Sequence, residues 1–218
     1  MEWRISATPR DFDRVRGSDA FAELLTLGRI ANLLRAALDA AGQHAGTGRT
    51  SAERGRMAMT LLLSGLVAEA LPVIERSGKY FRHLPAFTAS ILPILKDPNI
   101  ASLRERWFAP LRNQAVFHND AAVSESGLGL MKPAVPQDLA RGSSESFLDT
   151  YYPTADVVAI MFIINAANET ESPASFFSES IRAVVDVSAR VCLAIDSVVG
   201  EALNEWGFVW EEIPPPAG

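Results

Sequence analysis

The sequence predicts an all-α protein, a helical bundle of four long helices with shorter accessory helices, folded as one domain over residues 1–218. Three observations carry that prediction. Capping residues and prolines mark the helix starts. Apolar residues recur three and four apart, and no stretch sustains the two-residue alternation of a half-buried strand. With 48% hydrophobic and 21% charged residues the balance is that of an ordinary globular chain, and 218 residues suffice for one well-filled core.

The elements follow in order. Ser18-Asp19 opens a helix to about Ala41, in which Phe21, Leu24, Leu25, Leu27 and Ile30 form an apolar stripe. A loop with four glycines spans Gly42 to Gly55, and inside it Thr50 and Glu53 have the spacing of a capping box for a second helix reaching about Ser77. Asp97-Pro98 reads as an N-cap followed by proline at the first helical position, which starts a third long helix. Thr154 and Ser172-Pro173 open two more, the last carrying Val184, Val187, Val191 and Ile195 to about Trp206. Between them, residues 121–153 hold Gly127, Gly129, Pro133, Pro136, Gly142 and Pro153. They read as a long loop or arm, with room for a small hairpin. Residues 211–218, with Pro214-Pro215-Pro216, read as a loose tail.

The lone cysteine, Cys192, excludes an internal disulfide and lies in an apolar helical run, as a small buried hydrophobe would. The N-terminus alternates charges and lacks the apolar run of a signal peptide. The longest apolar stretch, Met57 to Ile74, is interrupted by Thr60, Ser64, Gly65, Glu69 and Pro72. A buried core helix suits it better than a bilayer span, which needs about 20 predominantly apolar residues. A soluble cytoplasmic protein with no membrane partner is the expectation.

A formal net charge of −6 argues against nucleic acid only until its distribution is read. Residues 76–112 carry seven basic side chains (Arg76, Lys79, Arg82, Lys96, Arg104, Arg106, Arg112) against two acidic ones, whereas residues 145–218 carry two against twelve. A basic segment of this kind can bind phosphates, although most such charges merely solvate helix surfaces.

Other chemistries find little support. Gly46-Thr47-Gly48-Arg49-Thr50-Ser51 lacks the Gly-Lys-Ser/Thr ending of a phosphate loop and follows no strand, so a helix connection is the plainer reading. Three histidines and one cysteine, widely separated, supply no metal-ligand spacing, and no cofactor is expected. Glu69, inside the apolar Leu61–Ile74 run, is either a supporting group behind a site or, more simply, the polar edge of its helix.

The remaining motif is Leu111-Arg112-Asn113-Gln114-Ala115-Val116-Phe117-His118. An arginine followed by a polar residue, an apolar filling and then a histidine, in a helical context, resembles the motif of the HEPN superfamily (higher eukaryote and prokaryote nucleotide-binding domains). The resemblance covers this motif and the helical layout, not the chain end to end. The family's motif allows four to six residues between arginine and histidine, and Arg112 and His118 have five. Arg76 and His83, with six, also fit, but that stretch crosses Gly78 and has Ser77 after the arginine, so the first match is preferred. Asp120 stands where one toxin-like subgroup has tyrosine, a departure from that subgroup's pattern.

The resemblance implies a metal-independent endoribonuclease acting as a homodimer, a toxin or defence component with RNA as substrate and a protein inhibitor as partner. It casts His118 as the base, Arg112 as the phosphate clamp and Asn113 as an orienting group. Beside it, the basic segment offers Arg104 and Arg106 as expected substrate-binding cations, and the apolar run offers Glu69 as the supporting group behind the site. On one straight helix Arg112 and His118 lie ~9 Å apart along the axis and roughly 120° around it. A local distortion at Pro110 or the pairing of two subunits would reconcile them, and the second is adopted. The alternative is a non-catalytic helical module of the same kind that binds a nucleotide or a protein partner. A blander one makes Arg112 and His118 structural, on a face shared with Leu111 and Ala115.

Overall fold

The computed structural model describes residues 2–43, 49–108, 126–129, 141–143, 146–151, 153–166 and 173–213. Local rules account for the first elements. Strand β1 (Glu2–Ile5) leads to Thr8, whose hydroxyl oxygen accepts from the Asp11 amide at 3.2 Å and caps helix α1 (Pro9–Val15), with Pro9 in the first turn where no donor is needed. Helix α2 (Asp19–Gln43) buries Phe21, Leu24, Leu27, Ala31, Leu34 and Ala37, positions three and four apart. Leu25, expected in that stripe, is instead 58% exposed, because it falls about 100° from Leu24 around the helix.

Helix α3 (Arg49–Phe81) starts earlier and ends later than its sequence signals suggest. Of the expected glycine loop, Gly42 lies in α2 and Gly55 in α3, while 44–48 fall outside the described residues. One glycine in a helix costs about 1 kcal/mol against alanine, which packing along a long apolar face outweighs. Gly78 likewise does not end the helix. It is buried, and a Cβ there would stand 3.1 Å from the Phe87 ring, so its role is close approach. The segment Ala58–Phe81 is long and apolar enough by composition to cross a membrane, with a mean hydropathy of 1.6. Here Leu63, Val67, Leu71 and Ile74 are buried in the core, while Glu69, Glu75 and Arg76 are exposed.

A helical stretch that the sequence does not announce follows, a wide π-type turn at Phe87–Ile91 running into helix α4 (Leu92–Leu95). Its N-terminal side is held from afar, with the Glu201 carboxylate accepting from the Ala86 amide at 2.6 Å. Asp97 caps helix α5 (Pro98–Leu103) as expected, its side chain accepting from the Asn99 amide at 2.9 Å. A second wide turn, Arg104–Phe108, continues α5. The expected third long helix is therefore described only as this α-then-π segment.

A hairpin of β2 (Arg141–Ser143) and β3 (Ser146–Tyr151) lies within the expected arm. Helices α6 (Pro153–Ala166) and α7 (Pro173–Glu205) come next, close to the expected starts. Gly207, with φ +81°, terminates α7. Phe208 N–H bonds Leu203 C=O at 3.0 Å and Gly207 N–H bonds Asn204 C=O at 2.9 Å, satisfying carbonyls that the helix end leaves open. Strand β4 (Trp210–Ile213) then pairs antiparallel with β1, Glu2 opposite Ile213 and Ile5 opposite Trp210. This corrects the loose tail at its first three residues, Glu211 to Ile213. Their backbone groups find partners about 200 residues away in the chain, which no local pattern could announce.

Helices α2, α3 and α7 pack pairwise around the core, which holds Leu27, Leu34, Leu71, Ile74, Val191 and Ile195. The Cys192 thiol meets the Ala31 carbonyl at 3.7 Å while Phe21 packs on Trp206, so α2 and α7 run antiparallel. The molecule is thus predominantly helical, with two small antiparallel pairs of strands among the described residues.

Candidate functional site

Arg112, Asn113 and His118 lie outside the described residues, which stop at Phe108 and resume at 126. What is described is the segment leading to them. Trp107 and Phe108 are fully buried, and the Trp107 indole N–H donates to the Ser64 hydroxyl at 2.9 Å, which donates in turn to the Thr60 carbonyl at 2.8 Å. A buried indole N–H without an acceptor would cost about 1–3 kcal/mol, so Ser64 fixes where this ring can sit. On its other side Trp107 meets Phe176 of α7 edge-on, with centroids 5.8 Å apart.

The two arginines before that anchor diverge. Arg104 reaches Glu75 at 3.7 Å and borders a hollow of about 440 Å³ with Leu71, Ile94 and Leu95. Arg106 lies over the Phe176 ring at 5.2 Å and lines a separate cleft of about 390 Å³. Side chains two apart on a helical turn point to different sides, so the turn does not bring these two into one hollow. Glu69 stands exposed on α3, beside buried Ala68 and Ala70, in the position of a polar helix edge.

The cleft lies between α5 and the N-terminal half of α7. Its floor is Ile100, Leu103, Phe176 and Val187, and its charged rim is Asp97, Glu179, Asp186, Arg106 and Arg190. Arg190 holds Asp97 at 2.9 Å and Asp186 at 3.6 Å. The Arg190 hydrogen bond, followed by the Asn99 amide, keeps the Asp97 carboxyl below its ordinary range. Sequence reading did not find this rim. Its only local signal was the Asp97-Pro98 cap, and Arg190 joins it from 93 residues away.

Other titratable groups are engaged elsewhere. His83 Nε2 lies 3.0 Å from Glu205, and Arg76 pairs with Glu23 at 3.1 Å, so the second arginine–histidine match points to two different partners. Cys192 is buried in the core, and burial pushes its thiol above the ordinary value. Among the described residues no three His, Cys, Asp or Glu side chains gather where a metal ion could be held. No family model, no curated protein and no solved structure matches the chain.

Proposed function

We propose that this chain is a HEPN-like, metal-independent endoribonuclease that acts as a homodimer in the cytoplasm. In this reading α2, α3, α6 and α7 are the four helices of the bundle. The supporting observation is the order of residues at the end of the basic segment. Arg104 and Arg106 lead into the buried Trp107-Phe108 anchor, and Arg112-Asn113 and His118 follow within ten residues of it. A fixed anchor just before a reactive motif limits where the motif can go, which is what positioning catalysis requires.

His118 takes the proton from a ribose 2′-hydroxyl, the 2′-oxygen forms a bond to phosphorus, and the bond to the 5′-oxygen breaks, that oxygen being protonated from solvent. Arg112 holds the phosphate oxygens with its planar donor fork, and Asn113 orients the pair. Arg104 can exchange Glu75 for an RNA phosphate, since an exposed ion pair is worth only about 0–1 kcal/mol. A toxin or defence role with a protein inhibitor belongs to the same reading.

The test is cleavage of single-stranded RNA in chelator. Wild type leaves 2′,3′-cyclic phosphate ends, spares DNA, and slows with rising salt. His118→Ala and Arg112→Ala each lose at least ~100-fold in rate at unchanged melting temperature. An inactive wild type whose Arg112→Ala variant alone loses nucleotide binding would make the chain a binding module instead. An inactive wild type with a destabilised His118→Ala variant would make the motif structural.

A further inference from the structure

One face of α7 is exposed, and at its C-terminal end Asp196 meets Arg35 of α2. Arg182, Val185, Ala189, Leu193 and Asp196 are all exposed, Val185 by 42% and Leu193 by 67%. At 100° per residue they fall within a sector of roughly 80° and extend ~21 Å along the helix. Leucine and valine on a solvent face are common singly, but here two flank one small residue and lie between opposite charges.

The order of that stripe is self-complementary. A twofold axis through Ala189, relating two antiparallel copies of α7, sets Val185 against the partner's Leu193 and Arg182 against the partner's Asp196. Both pairs occur twice, as an isologous interface demands. Alanine at the axis lets the helices approach to within the usual 8–10 Å. Asp196 already accepts from Arg35 of α2, so its carboxylate is oriented before a second arginine arrives. A parallel pairing would set Arg182 against its own copy and Asp196 against its own, which like-charge repulsion opposes.

We infer that the Arg182–Asp196 face of α7 is the surface on which two copies of this chain associate. The inference gives the homodimer of the proposed function a surface, and rests on that reading only for the dimer's importance to cleavage. One helix contact of this length falls short of the ~800 Å² per partner of a standard interface, so the association is weak and concentration-dependent.

The full chain tests it without RNA. Sedimentation velocity over about 1–100 μM should show monomer giving way to dimer, and Leu193→Glu should stay monomeric with wild-type circular dichroism and melting. Arg182→Glu should weaken association at least several-fold. In a Cys192→Ala background, mild oxidation should link Ala189→Cys copies. Leu193→Cys copies should stay unlinked, because their sites lie ~12 Å apart along the helices and a disulfide needs Cα atoms within about 7 Å. A wild type monomeric throughout overturns the inference, as does a dimer indifferent to Leu193→Glu, or linkage through position 193 without 189. Cleavage can fail while these results stand, and the reverse, so the two readings are judged separately.

Discussion

The two ends of the helical trio solve the same packing problem with different chemistry. At one end Phe12 meets Phe21 edge-on at 5.9 Å, Phe21 meets Trp206 at 6.0 Å, and Trp206 meets Phe81 at 6.5 Å. Arg14 caps this group by donating to the Trp206 carbonyl. At the other end Phe176, packed on the buried Trp107, lines a cleft whose rim is held by Arg190 between Asp97 and Asp186. Ring-on-ring burial removes apolar area from water and seals the first end around Phe21 and Phe81, while Phe12 at its edge stays 45% exposed. Charge pairing leaves solvent in the second and contributes little stability, so side chains there can exchange partners at small cost. The difference separates a region held by apolar packing from one held by charge pairs around an open cleft.

The largest expected effect tests that separation directly. Phe81, 2% exposed, belongs to the sealed end, and Phe81→Ala should cost about 3–5 kcal/mol in urea unfolding. Phe176, half-buried at the cleft, should cost only about 1–2 kcal/mol when truncated to alanine. Equal losses would mean that the cleft end is as tightly packed as the aromatic one.

The next effect sharpens the electrostatic side. Asp97 is held below its ordinary value of 3.8 by Arg190 and the Asn99 amide. Its folded pKa is lower than its unfolded one, so the unfolded chain binds more protons as the pH falls. The stabilisation is complete well above the unfolded value and is lost as the pH falls through the folded one. Asp97→Asn keeps a good helix cap but removes the charge, so it should flatten the acid limb of the stability–pH curve below about pH 5 and leave the cap nearly intact. An acid limb unchanged by the substitution would show that the rim contributes nothing.

How much of this was legible depended on whether the determining residue lies nearby in sequence. The Asp97-Pro98 cap and the start at Pro173 were readable because cap and helix are adjacent. The Phe87–Ile91 turn and α4 were not, since the carboxylate that bonds the Ala86 amide belongs to Glu201, 115 residues on. The β1–β4 pairing and the Arg190 rim failed to show for the same reason. Of the candidate site, the residue types and the basic segment were visible at once, but not the divergence of Arg104 and Arg106 to separate hollows. Their turn is π-type, and its wider winding has no local sequence mark. The roles proposed for Arg112, Asn113 and His118 rest on the motif itself.

The smallest effect concerns a residue that periodicity misplaces. Leu25 follows a buried leucine and precedes another by two, so a generous apolar stripe absorbs it, yet it is 58% exposed while Leu24 and Leu27 are 3% and 0%. A side chain that keeps most of its surface in water loses little when made polar. Leu25→Ser should therefore change stability by no more than about 0.5 kcal/mol beyond serine's slightly lower helix propensity. Leu27→Ala on the same helix should cost about 2–5 kcal/mol, because it leaves a cavity among α2, α3 and α7. The pair calibrates the helix phase by unfolding alone. A large loss at Leu25 in a chain that stays monomeric would mean that α2 is rotated about its axis from the phase described. A loss at Leu25 seen only at concentrations where the chain associates would instead place this residue in a contact between copies.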